Sequence, residues 1–171
     1  MEHPLSKFKF CPICGSTHFE INNFKSKKCG SCGFTYYANP SSATVAFIMN
    51  EKDELLVVRR KNEPAKGTLD LPGGFVDMEE TGEEGVMREV MEETGLTINH
   101  LKYFGSQPWP YPSGLMVGFT ADYVDGEIHL QKEELSRGKW FTKNNLPTIP
   151  EKLSIARQII DAWLEEQKSN L

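Results

Sequence analysis

From Ala43 to Asn50 the chain reads Ala-Thr-Val-Ala-Phe-Ile-Met-Asn, an apolar run rich in β-formers that predicts a buried strand. Glu51-Lys52-Asp53 reads as a turn, and Leu55–Arg59 as a second strand. Residues 63–68, with Pro64 and Gly67, read as a loop. Leu69-Asp70-Leu71 is a short strand leading into Pro72-Gly73-Gly74, and further strands are predicted at 98–105, 115–124, 127–130 and 138–142. Two segments carry helical period instead. Over 82–94, Val86, Met87, Val90 and Met91 share one face, where a core would take them, and Glu89, Glu92 and Glu93 share the other. Thr81 with Glu84 is a capping box for this helix, and Gly95 a left-handed C-cap. Over 150–167, Leu153, Ala156, Ile160, Trp163 and Leu164 fall at helical spacing. Strands on both sides of one helix, then a terminal helix, predict an α/β chain with a mixed sheet between helices.

Composition narrows the class. Of 171 residues, 39% are hydrophobic and 25% charged, ordinary for a globular protein. No apolar run is long enough to cross a membrane. The start, Met-Glu-His-Pro-Leu-Ser-Lys, has no apolar signal core, which predicts a cytoplasmic location. A net charge of -5 disfavours bulk attraction to nucleic acid. The charge is uneven, however. Residues 1–34 hold five lysines and two acids, a formal +3, so the remainder carries -8.

All four cysteines lie in that basic segment, as Cys11, Cys14, Cys29 and Cys32, spaced C-x2-C-x14-C-x2-C. The pattern reads as a structural zinc site made of two knuckles. Gly15 and Gly33 each follow a second cysteine, where a tight turn needs freedom in φ. Disulfides are the competing reading, but nothing marks the chain as secreted. The chain therefore divides into a zinc ribbon over 8–36 and a catalytic domain over 40–169. Four thiolates around Zn²⁺ would bring the ribbon nearer +1, so a structural role is favoured over RNA binding.

The acidic helix face carries the chemistry. Three carboxylates in one patch repel, so a helix built only for stability would avoid them. Hard cations favour such oxygens, and Mg²⁺ binds through a few of them plus substrate phosphates. Such ions neutralise a diphosphate and orient an attacking water. Gly85, on the same face, would leave space over it, and Gly73-Gly74 would let backbone approach the site. Arg88 could orient one carboxylate through a bidentate contact. Gly74, Glu80, Arg88, Glu89, Val90, Glu92, Glu93, Gly95 and Leu96 occupy every fixed position of G-x5-E-x7-R-E-U-x-E-E-x-G-U, with U apolar. This stretch resembles the Nudix box, the signature of hydrolases that cut a diphosphate linked to a nucleoside.

Downstream, Ser106-Gln107-Pro108-Trp109-Pro110-Tyr111-Pro112 alternates prolines with aromatics. It predicts a stiff extended loop that cannot sit in a central strand. Trp109 and Tyr111 could stack on a base or nicotinamide, or equally pack the loop onto the core. Together with the cysteines and the box, this segment is similar to the signature of the zinc-ribbon NADH pyrophosphatases. The resemblance covers nearly the whole chain. It implies a Nudix α/β/α sandwich with a mixed sheet, preceded by a small zinc ribbon, and a homodimer. It implies cleavage of NADH or NAD to nicotinamide mononucleotide and AMP, removal of NAD caps from an RNA 5′ end, and Mg²⁺ or Mn²⁺ as catalytic ions.

By the same resemblance Glu89, Glu92, Glu93 and Glu134 are the magnesium or manganese ligands, and Glu89, Glu92 and Glu93 with Arg88 are catalytic. Phe75, Met116 and Ala156 match substrate-binding positions and join Trp109 and Tyr111 of the loop, with core packing the competing reading for Met116 and Ala156. The approach Leu71-Pro72-Gly73-Gly74-Phe75, where these pyrophosphatases usually read Ala-Gly-Phe, has a Pro-Gly-Gly entry more typical of the wider group that includes ADP-ribose pyrophosphatases. That keeps ADP-ribose or another nucleoside diphosphate as the alternative substrate.

Overall fold

The apolar run starting at Ala43 forms the central strand of a mixed sheet, buried on both faces because a helix lies over each. The computed structural model describes residues 2–63, 65–109, 114–147 and 154–169. Tyr111 and the last part of the proline-aromatic segment, 110–113, lie outside the described residues, as does 148–153. Two compact units are present, Met1–Pro40 and Ser41–Leu171.

In the first unit, β1 (Phe19–Asn23), β2 (Ser26–Cys29) and β3 (Thr35–Tyr37) form an antiparallel sheet in sequence order. Its buried hydrophobic cluster is small: Cys11, Phe19 and Cys29, with Phe34 against them. A core of that size rarely holds so short a chain without a staple.

The second unit contains β4 (Ser41–Met49), β5 (Leu55–Arg60), β6 (Leu69–Asp70), α1 (Gly82–Thr94), β7 (Thr97–Trp109), β8 (Gly114–Asp125), β9 (Leu135–Phe141) and α2 (Ile155–Ser169). The strand order is β6-β5-β4-β8-β7, with β9 also paired to β5. β4 and β8 run parallel and the other pairs antiparallel, so the sheet is mixed. Alternation along β4 decides what each face meets. Val45 and Phe47 pack with Ile155, Ala156, Ile159 and Ile160 of α2. Ala46 and Ile48 pack with Val86 and Val90 of α1. Each fully buried aliphatic side chain contributes about 1.5–3 kcal/mol, so the two faces together dominate the unit's stability.

Helix α1 starts and stops as the sequence predicts. Thr81 Oγ1 accepts from the Glu84 N–H at 3.2 Å, and a Glu84 carboxylate oxygen accepts from the Thr81 N–H at 2.8 Å. Gly95 ends the helix at φ 73°, donating its N–H to the Met91 carbonyl. The apolar face is narrower than expected. Val86 and Val90 are fully buried, but Met87 and Met91 are exposed. Glu93 and Thr94 are buried instead, because the helix end is covered by a later segment.

That segment is the predicted strand at 127–130, which pairs with no strand. Its backbone serves α1 instead. His129 and Gln131 N–H groups donate to the Thr94 and Glu93 carbonyls at 2.8 and 3.0 Å. Those are carbonyls a helix end leaves without internal partners, so irregular backbone here is stabilising. β9 also starts earlier than predicted, at Leu135. Residues 106–109, expected in a loop, extend β7 to Trp109, with Pro108 opposite Leu115 of β8. The exclusion from a central strand holds, since β7 is the edge strand, where one side needs no donor.

Candidate functional site

Arg88 organises the acidic face of α1. Its Nε donates to Glu80 Oε1 at 2.7 Å and its NH2 to Glu80 Oε2 at 3.1 Å, a bidentate pair. Its NH1 donates to Glu89 at 3.0 Å and Glu92 at 3.1 Å, and NH2 also to the Phe75 carbonyl at 2.9 Å. The bidentate partner is thus Glu80, and two further carboxylates share the same guanidinium. Hydrogen bonding from Arg88 holds the Glu80 carboxyl below its usual range. Burial pushes Glu89 the other way, resisted by Arg88 and reinforced by the charges of Glu92 and Glu134.

Glu93 faces the glycine turn. Its Oε2 accepts from the Gly73 N–H at 2.9 Å, and the residue is only 4% exposed. Burial lifts its carboxyl to about 7; the Gly73 N–H opposes this, and the charges of Glu89 and Glu134 add to it. Glu134 reaches the cluster from an exposed turn, where its N–H donates to the Gln131 carbonyl and its own carbonyl accepts from the Lys61 N–H. From there its charge acts on Glu89 and Glu93.

The turn 72–76 lies along β4. Thr44 and Ala46 N–H groups donate to the Gly74 and Pro72 carbonyls, and Val76 N–H donates to Ser42. Packing this close requires Gly73, and the placing of the Glu89 carboxylate requires Gly74. A Cβ on Gly73, at φ 149°, would stand 2.2 Å from the Thr44 carbonyl oxygen. One on Gly74 would stand 2.4 Å from the Glu89 carboxylate. Gly85 differs from expectation: it is buried, and the space over it is taken by Val76 and a Glu80 oxygen.

On the other side of the turn lies a cavity of about 440 Å³. Four of the residues expected to bind substrate, Phe75, Trp109, Met116 and Ala156, line it together. Ala43, Val45, Leu71 and Ile155 make the rest of it largely apolar. Gly73 and Gly74 belong to both the cavity wall and the contacts of Glu93 and Glu89, so the cavity adjoins the carboxylates. Sequence reasoning passed over Arg60 and Asp70, which also line it. The available signal was an acid between two leucines and a second arginine closing an apolar strand.

The donor sets differ in kind. Among the described residues, the four cysteines are the one group of three or more candidate metal ligands whose donor atoms come within 4.8 Å of each other. The Cys11–Cys32 and Cys14–Cys29 sulfur separations are 3.7 and 3.6 Å. A tetrahedron with Zn–S bonds of about 2.3 Å has edges of about 3.8 Å, so these sulfurs fit a Zn²⁺ ion. All four thiols are free. Gly15 and Gly33, at φ 72° and 78°, close the knuckles by donating to the Cys11 and Cys29 carbonyls. The N–H of Cys32, with that of Ser31, holds the Cys29 thiol down at about 6, whereas Cys32, against the Phe34 N–H, is pushed up to about 12 by burial and the neighbouring thiols, as expected of four close sulfurs with no cation among them. The box carboxylates are more spread, Glu89 drawn to Arg88 and Glu93 to Gly73. An all-oxygen set with mutual repulsion fits hard divalent cations.

The fold and the box place the chain in a known class: it belongs to the NUDIX domain family, which its residues 39–163 match. Among similar proteins is the NAD-capped RNA hydrolase NudC of Haemophilus influenzae (strain PittGG). It is 38% identical over 167 residues, covering 96% of this chain and 63% of that protein. NudC of Vibrio vulnificus (strain CMCP6) is 35% identical over 168 residues, covering 98% of this chain and 64% of its own. The chain thus spans under two thirds of the length of these curated relatives. Of solved structures, a NUDIX hydrolase from Nitrosomonas europaea matches with TM-score 0.76 at 22% identity, covering 94% of this chain and 93% of that one. The NUDIX domain of Shewanella oneidensis NrtR, solved with ADP ribose, matches with TM-score 0.65 at 22% identity, covering 77% and 90%. These two share the fold. Among the described residues, no helix is long and apolar enough to cross a membrane.

Proposed function

We propose that the chain is a divalent-metal-dependent diphosphatase that cleaves an NADH- or NAD-like dinucleotide to nicotinamide mononucleotide and AMP. The observation that carries this reading is the adjacency of the apolar, aromatic-bearing cavity to the box carboxylates across Gly73-Gly74. Phe75 and Trp109 hold a flat ring, and the diphosphate then runs past the glycines toward α1. Glu89, Glu92, Glu93 and Glu134 hold Mg²⁺ or Mn²⁺. Such ions, if bound there, would supply charge neutralisation of the diphosphate and a polarised water as nucleophile. Arg88 fixes Glu89 and Glu92 so that little rearrangement remains at the moment of reaction. The names of the NudC relatives support a substrate of this type and make an NAD-capped RNA 5′ end a further candidate.

The test is direct. Purified protein is incubated with NADH, NAD and ADP-ribose under Mg²⁺, and AMP release is followed. NADH or NAD is expected to be consumed; their survival while ADP-ribose disappears would overturn the assignment. ADP-ribose is the second reading because of the Pro72-Gly73-Gly74 approach to the box.

For the ribbon we propose one structural Zn²⁺ on Cys11, Cys14, Cys29 and Cys32. Elemental analysis of native protein is expected to give one zinc per chain, and a value of zero removes the claim. Chelation should melt the ribbon, whose own core is too small to hold it.

A further inference from the structure

Two charged side chains stand on the wall of an otherwise apolar cavity, and the hydrolytic reading does not use them. Arg60 closes β5 and Asp70 closes β6, and both line the cavity. Their strands pair with Val58 opposite Asp70, so the two residues lie close in the hairpin. Arg60 Nε is buried and has no hydrogen-bond partner. Among the described residues Arg60 makes no ion pair within 4 Å, although its charge acts on both Asp70 and Glu93. A buried donor without a partner is costly, and more so when it is charged. Asp70 differs: it is only half-buried and leaves no buried atom without a partner. One carboxylate oxygen accepts from the Leu71 N–H at 2.9 Å. Burial nonetheless raises its carboxyl, against the pull of that N–H and of Arg60.

Arg60 Nε is sealed from solvent, so the donors left to meet whatever fills the cavity are the guanidinium's NH1 and NH2, and the acceptor is the second Asp70 oxygen; none of these has a partner among the described residues. We infer that Arg60 and Asp70 form a specificity pair that reads the edge of the bound ring. Arg60 donates to an acceptor on that edge, and Asp70 accepts from an adjacent N–H. The chemistry selected is a planar group with neighbouring acceptor and amino donor. A ring carboxamide has it as C=O beside NH₂, and adenine has it as N1 beside the exocyclic amine. A ring carboxylate lacks the donor and places a second negative charge against Asp70. Sites that hydrogen-bond a polar group reject analogues lacking it far more strongly than apolar pockets discriminate by size, by about 10⁴–10⁵ in favourable cases. The inference rests on the diphosphatase reading but concerns the choice of ring.

The experiment compares kcat/KM for NADH, NAD, deamido-NAD (the ring carboxylate matched to NAD) and ADP-ribose in the wild-type protein, Asp70→Asn and Arg60→Gln, with thermal melts to confirm folding. Wild type is expected to prefer carboxamide over carboxylate by at least tenfold, and Asp70→Asn to shrink that preference at least tenfold. A larger loss on NADH than on ADP-ribose in both variants assigns the pair to the carboxamide. Equal losses on the two assign it to adenine, which both substrates share. Variants that melt as wild type does and keep every wild-type ratio overturn the inference. A wild type inert toward NADH, yet weakened toward ADP-ribose by both variants, overturns the dinucleotide reading and leaves the pair standing on adenine.

Discussion

Replacing Glu93 by glutamine is expected to make the metal-free protein more stable and to remove its hydrolytic activity. The stability side follows from linkage. Glu93 titrates near 7 in the fold, raised by burial first, against 4.5 for an ordinary glutamate. Between those values the unfolded chain has lost the proton that the folded chain keeps, so stability falls as pH rises from about 4.5 to about 7. At about 1.4 kcal/mol per pH unit the loss amounts to at most about 3.5 kcal/mol, essentially complete by pH 8. Glutamine cannot ionise, and its side-chain oxygen can still accept the Gly73 N–H. Melting curves of metal-free wild type and E93Q should therefore coincide near pH 4.5 and separate at pH 8, with E93Q higher. Added Mg²⁺ should raise the wild type and leave E93Q nearly unmoved. Activity should fall by more than the roughly 10–100-fold that losing even an outer-shell partner costs a metal site. Equal melting temperatures at pH 8 would show that Glu93 carries no burial cost in the fold.

Gly74→Ala should do the reverse, sparing stability while damaging catalysis. The added Cβ would meet the Glu89 carboxylate at 2.4 Å, the far end of a side chain that can swing away. Little backbone strain results, so the melting temperature should shift by only a few degrees. The swing pulls Glu89 off Arg88 NH1, its present partner at 3.0 Å. A displacement of about 1 Å at a reacting centre costs about a hundredfold, and kcat should fall by that order. An active G74A would mean that Glu89 does not need its observed position. Gly73 offers no such separation, because there the clash is with the Thr44 backbone.

The caps of α1, the strands beginning at Ser41 and Leu55 and the sheet's mixed character were legible because local chemistry decides them. Thr81, Glu84 and Gly95 act within one helical turn, and the run from Ala43 admits little but a buried strand. What went unread depends on partners distant in sequence. Met87 and Met91 sit on the side of α1 that the core does not reach, while Glu93 is buried by backbone from 129–131. Ile128 and Leu130 suggested a strand, yet that backbone satisfies the end of a helix. Trp109 belongs to β7 because an edge strand tolerates Pro108. Gly85 looked like open space over the acidic face until Val76 filled it. The same limit applies to the cavity. Phe75, Met116 and Ala156 could be named by resemblance, whereas Arg60 and Asp70 acquire meaning only once β5 and β6 pair.

The two faces of β4 bear on how such a protein can change. Ala43 and Val45 line the cavity, while Ala46 and Ile48 support α1 and its carboxylates. On the proposed function, one nine-residue strand is thus a partition between recognition and bond cleavage. Drift on the cavity side can trade one nucleotide for another while the hydrolytic apparatus is inherited intact. A lineage built this way can diversify its diet without reinventing its teeth.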